Sequence, residues 1–128
     1  GIIILDGTQQ IPGEPVPWDG VTVGETGGAL VLDTKTYTMA PGGIYDILMT
    51  LVGADVSEMQ IYSSRPDVAE VTSIGDGKYR VTALGEGETY IMFEVWRNGV
   101  MLNHASVKVT IADGAAASGE VNRVASLF

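Results

Sequence analysis

The chain has 128 residues, which suits one domain able to bury roughly two thirds of the surface that its unfolded form exposes. It carries 16 acidic and 7 basic residues, net −9, so double-stranded nucleic acid and anionic membrane are disfavoured partners. It has no cysteine, which excludes disulfides and thiolate metal sites, and its longest apolar runs are too short to cross a bilayer.

The chain opens on Gly1 rather than Met, which reads as a processed or shortened start with any export signal already removed. Ile2, Ile3, Ile4 and Leu5 follow as the one uninterrupted apolar run near the N-terminus. Residues 6–28 then hold three prolines (Pro12, Pro15, Pro17) and six glycines, so residues 1–28 read as an irregular arm or linker, with only residues 21–23 strand-like. From Tyr45 onward the period is two. Tyr45, Ile47, Met49 and Leu51 form one apolar face. Tyr79, Val81 and Ala83 form a second, Ile91, Phe93 and Val95 a third, and Ala105, Val107, Val109 and Ile111 a fourth. Each alternation predicts a strand with one buried side. Turn signals separate them: APGG at 40–43, VGAD at 52–55, IGDGK at 74–78, GEGE at 85–88 and NG at 98–99. No helical period occurs in residues 29–112, so the pattern predicts an all-β antiparallel sandwich or barrel.

The NG turn constrains the register. A two-residue loop pairs Phe93 with His104 and turns His104 inward, against the alternation that follows. A three-residue loop, residues 97–99, pairs Val95 with Met101 and Ile91 with Ala105 and restores agreement, as does a bulge nearby. The tail, residues 113–128, is expected to form a short helix capped by Ser118, with Val121, Val124 and Phe128 on one face.

The segments LDTKTYTMAPGGIYDI, SSRPDVAEVT, GKYRVTALGEGETYIMFEV and HASVKVTI carry a resemblance. Over residues 33–111 the chain resembles bacterial immunoglobulin-like domains of the Big group, the group-2 type above all. Its pattern positions are filled here by Ser64, Val68, Ala69, Val71, Gly77, Val81, Ala83, Gly87 and Ile91. The resemblance implies an Ig-like antiparallel two-sheet sandwich over residues 29–112, flanked by the arm and the tail. It also implies a spacer or adhesive module, outside the cell or on its surface, in bacterial surface proteins or phage virions, with no cofactor.

Candidate sites divide as follows. In SSRPDVAEV, residues 63–71, Pro66 removes a donor and extends its neighbour, so the stretch reads as a corner between strands. No base is placed beside Ser63 or Ser64, and His104, the one histidine, falls on another strand, outward and near Met92. Asp76, Glu86 and Glu88 lack a calcium-loop spacing and read as solvated turns, with a calcium site pooling Asp76 or Asp113 with a loop carbonyl as the alternative. A lysine–asparagine crosslink is disfavoured because Lys35, Lys78 and Lys108 fall on outward positions while Asn103 falls inward. Tyr90 and Trp96 point outward, with Tyr62 on a neighbouring strand. Either the chain's own arm or tail covers this stripe, with Trp18 as the obvious cover, or it meets a protein partner or a cell-surface glycan. The run Ile2, Ile3, Ile4, Leu5 is read as a strand added to its own sheet edge, or to a neighbour's. Two functions follow. One is a non-enzymatic structural or adhesive surface module. The other is a virion or filament subunit that self-associates through its terminal strands, the apolar C-terminal ASLF included.

Overall fold

The computed structural model describes residues 27–128. The arm, with residues 2–5 and Trp18, lies outside the described residues. The described chain forms ten strands: β1 (Ala29–Leu32), β2 (Thr36–Met39), β3 (Ile44–Val52), β4 (Met59–Ser63), β5 (Ala69–Gly75), β6 (Lys78–Ala83), β7 (Gly87–Arg97), β8 (Val100–Ile111), β9 (Ser118–Glu120) and β10 (Val124–Leu127). One 3-10 turn, Val56–Glu58, precedes β4. Asp55 caps it, accepting from the Ser57 amide at 3.3 Å. The strands make two five-stranded sheets, ordered β10-β1-β3-β6-β5 and β4-β7-β8-β2-β9. All strand pairs are antiparallel except β2–β8, which is parallel.

The inward face of every alternating run meets the opposite sheet. Ile91, Phe93, Val95, Val107, Val109 and Ile111 pack against Ile47, Met49, Tyr79 and Val81, all buried. Phe93 meets the Tyr79 ring edge-on, with centroids 5.5 Å apart at 88°. Complete burial of such a side chain contributes about 1.5–3 kcal/mol, so these rings hold the two sheets in contact. β1 shows no alternation because both its faces are covered. Leu30 and Leu32 join the main core, while Ala29 and Val31 form a smaller cluster with Leu48 and Val52.

The crossings between sheets are tied by polar groups. Where β1 passes to β2, buried Thr34 bonds the Tyr45 hydroxyl at 2.6 Å, and the Leu48 amide donates to Asp33 at 3.0 Å. The Tyr37 and Tyr45 rings stack there at 3.7 Å.

The hairpin takes the alternative expected for it, a bulge near the turn, in place of the three-residue loop, and the tail departs from expectation. The hairpin at Asn98-Gly99 is a two-residue loop, both residues having positive φ (53° and 76°), as a type I′ turn requires. Parity is restored by a register shift between Val95 and Trp96, so Val95 faces Asn103 and Ile91 faces Val107, rather than Met101 and Ala105. An Asn-Gly pair takes up the left-handed backbone at little cost, so the extra residue moves into the strand.

The tail is not helical either. β9 pairs with β2 and β10 with β1, so the tail adds one strand to each sheet. A helix this short is marginal in isolation, and Gly119, Val121 and Val124 disfavour it, whereas two open sheet edges offer backbone partners. Ser126 on β10 and Asn103 on β8 then join the sheets. The Asn103 amide donates to the Ser126 carbonyl at 2.8 Å, and the Ser126 hydroxyl donates to Asn103 Oδ1 at 2.6 Å. Gly28 and Phe128 exchange backbone bonds at 2.9 and 3.0 Å, and the Phe128 ring occupies the space a side chain at Gly28 would need.

Candidate binding surface

β7 displays Glu88, Tyr90, Met92, Glu94 and Trp96 on the outer side of its sheet, between β4 and β8. The register puts Tyr62 of β4 opposite Met92, diagonal to Glu94. The Tyr62 hydroxyl donates to Glu94 Oε2 at 2.7 Å and the Trp96 indole N–H donates to Glu94 Oε1 at 2.9 Å. One carboxylate thus joins two of the three aromatic residues expected on this face. Tyr90, 45% exposed, stands beyond Met92 and opposite Lys108, outside that hydrogen-bonded group. Tyr62 is 41% exposed and Trp96 half-buried.

The electrostatics follow from these bonds. The bond from Tyr62, then that from Trp96, lowers the Glu94 pKa, with a smaller contribution from His104. The same bond to Glu94 raises the Tyr62 pKa. Glu94 therefore stays ionised, with both oxygens holding neutral donors. Such a carboxylate orients rings; it is not poised to take a proton from a ligand. His104 is exposed and faces Glu94 directly, with Met92 opposite Ser106 instead.

The hydroxyls of SSRPDVAEV are fully engaged in the corner between β4 and β5. Thr89 of β7, buried at 1% exposure, sits beneath it. Its hydroxyl meets Ser63 Oγ at 2.8 Å and Ser64 Oγ at 3.2 Å, and accepts from the Arg65 amide at 2.8 Å. Ser64 Oγ also accepts from the Tyr90 amide at 3.0 Å. The ion pair Arg65–Asp67 spans 3.5 Å on the exposed side.

The remaining candidates are dispersed. Among the described residues, no group of three His, Asp or Glu side chains is placed to hold a metal. Glu86 accepts from the Asp113 amide at 3.1 Å, and Glu88 pairs with Lys108 at 3.3 Å. Asn103 is committed to Ser126. Glu94 and Thr89 were not singled out from sequence. Outward alternation at Glu94, two residues from Trp96, and an inward hydroxyl at Thr89 were the available signals.

No family model and no curated protein matches the sequence. Solved structures do. Domains 4 and 5 of the S-layer protein SbsC are 20% identical, with a TM-score of 0.50 over 65% of this chain and 50% of that one. Domains 5–6 of the same protein are 21% identical, with a TM-score of 0.51 over 66% and 43%. The chain thus spans half or less of the structures that it matches. At this identity the likeness concerns the fold, and this chain is an Ig-like two-sheet sandwich similar to those domains.

Proposed function

We propose that the chain is a non-enzymatic structural module of a bacterial cell-surface protein, of the Big group-2 type, attached at one end and presenting its sheets laterally. The observation that carries this reading is the pairing of Gly28 with Phe128, which sets the start of the first strand and the end of the last side by side at one end of an antiparallel pair. An end-to-end spacer enters at one pole and leaves at the other. The similarity in fold to domains of an S-layer protein supports the surface setting, and the acidic composition keeps such modules apart by self-repulsion. Tyr90 and Trp96, the latter held by Glu94, give the outer sheet a face suited to stacking on a protein or a sugar ring.

Force spectroscopy tests the attachment. Handles at residues 27 and 128 load β1 and β10 bond by bond, so the pair unzips at low force. Handles at residues 27 and 123 load the same pair in shear, and the expected rupture force is higher. Equal, high rupture forces in both geometries would sink the lateral reading in favour of an in-line spacer. A strand-exchanging filament subunit would instead give large species in light scattering as concentration rises.

A further inference from the structure

The two sheets present four edges, and three of them are protected. β9 and β10 are only three and four residues long. β5 is broken by a register shift between Ser73 and Gly75 and carries exposed Glu70 on its outer side. Short edge strands, bulges and charges all discourage further pairing. β4, Met59–Ser63, has no bulge, lysine or proline, and no further strand pairs with it among the described residues. Beside it, between β4 and β5, runs an open groove of about 220 Å³ lined by Val56, Met59, Ile61, Val71, Ser73 and Tyr79. Val56 at its mouth is 54% exposed. On the other side of β4 stands Tyr62.

We propose that residues 2–5 of the same chain add to the β4 edge as a sixth strand, alternate side chains filling the groove and the others covering Tyr62. An ordinary edge strand alternates apolar with polar. Ile2, Ile3, Ile4 and Leu5 do not, and a continuous apolar run suits a strand covered on both faces. β4 presents Met59 and Ile61 on its inner side and Tyr62 beside exposed Gln60 on its outer side, whereas β5 carries exposed Glu70 and Thr72 on its outer side before the register shift that precedes Gly75. An apolar cavity of about 150 Å³ already admits a benzene-sized group, so this groove has room for an aliphatic side chain.

The chain can reach. Gly27, the first described residue, packs against Gly53, three positions before Val56. Residues 6–26 span roughly 25 Å as a coil and at most about 70 Å extended, against a radius of gyration of about 14 Å for a domain of this size. A tethered segment is present at an effective concentration on the order of millimolar, so it outcompetes a second copy at ordinary protein concentrations.

Hydrogen exchange tests the proposal on the full chain and on a variant lacking residues 1–5. The expected result is that amides of Met59–Ser63 exchange at least about tenfold faster in the truncated chain, while those at the centre of β7 are unchanged. Val56→Asp, at an exposed site on the groove wall, should reproduce that loss in the full chain. Equal exchange of β4 in all three proteins overturns the proposal. So does protection of β4 that grows with protein concentration, which assigns the groove to a second copy.

Discussion

Replacing Thr89 with valine keeps its shape and removes its hydroxyl. That hydroxyl has one proton and two lone pairs, and its three partners, Ser63 Oγ, Ser64 Oγ and the Arg65 amide, use its full capacity. In valine's presence the Arg65 amide keeps only Ser63 Oγ, at 3.3 Å, and Ser64 Oγ keeps the Tyr90 amide. Each lost bond costs about 1 kcal/mol net, and a buried donor left without an acceptor costs about 1–3 kcal/mol. The extra methyl group and rotation of the serine hydroxyls return part of this. The expected loss is about 2 kcal/mol, or roughly 8 °C in Tm for a domain of this size. Urea unfolding should show a lower midpoint with an unchanged slope. A double-mutant cycle with Ser64→Ala should show a coupling energy of about 0.5 kcal/mol or more. A Thr89→Val chain within about 0.5 kcal/mol of the parent, with no coupling, would refute the view that these hydroxyls exist to lock the corner.

Two further outcomes follow from the charges. Glu58 is held down from 4.5 to about 2, first by its bond from Arg97 at 2.7 Å and then by the Asp55 amide, and Asp46 is lowered by Arg80. Folded pKa values below the unfolded ones mean that this stabilisation is present above the ordinary carboxylate range and is lost as pH falls towards about 2. Urea midpoints should therefore drop on acidification below pH 4.5, and Glu58→Gln should flatten part of that slope. Glu94→Gln removes the carboxylate that most raises Tyr62, so tyrosinate absorbance should show one tyrosine titrating at lower pH than in the parent. An unchanged titration would mean that the Tyr62–Glu94 bond does not persist in solution.

The core was readable because burial has the period of the strand. Ile91, Phe93 and Val95 alternate with outward residues, and so do Val107, Val109 and Ile111. The five turn signals all mark junctions between strands, three of them overlapping a strand end by one to three residues. The hairpin register was not readable, since a three-residue loop and a two-residue loop with a bulge give the same parity and differ only in which residues face each other. β1 escaped notice because a four-residue strand covered on both faces has no period to detect. The tail reads as helical because Val121, Val124 and Phe128 satisfy a helical spacing by coincidence in a short window, while its real partners lie some 80–98 positions earlier in the chain. The surface group was legible as rings but not as a unit. Its centre, Glu94, is an ordinary outward glutamate until the β4–β7 register brings Tyr62 alongside.

The closure of the sandwich has a consequence for how it carries load. On one flank the chain passes directly from β4 in one sheet to β5 in the other, and the Thr89 hydroxyl fastens that corner. On the other flank it passes directly from β9 to β10, again changing sheets, and Asn103 fastens β10 back onto β8. The two sheets are therefore laced covalently along both sides, and sliding one across the other must strain a corner as well as expose the Phe93–Tyr79 contact. The β1–β10 pair differs: it is four residues long and lies where chain enters and leaves. Force applied at residues 27 and 128 opens this seam before it reaches the laced core, and force applied across the outer sheet meets the core first. A sandwich built this way resists load across its faces better than tension applied at residues 27 and 128.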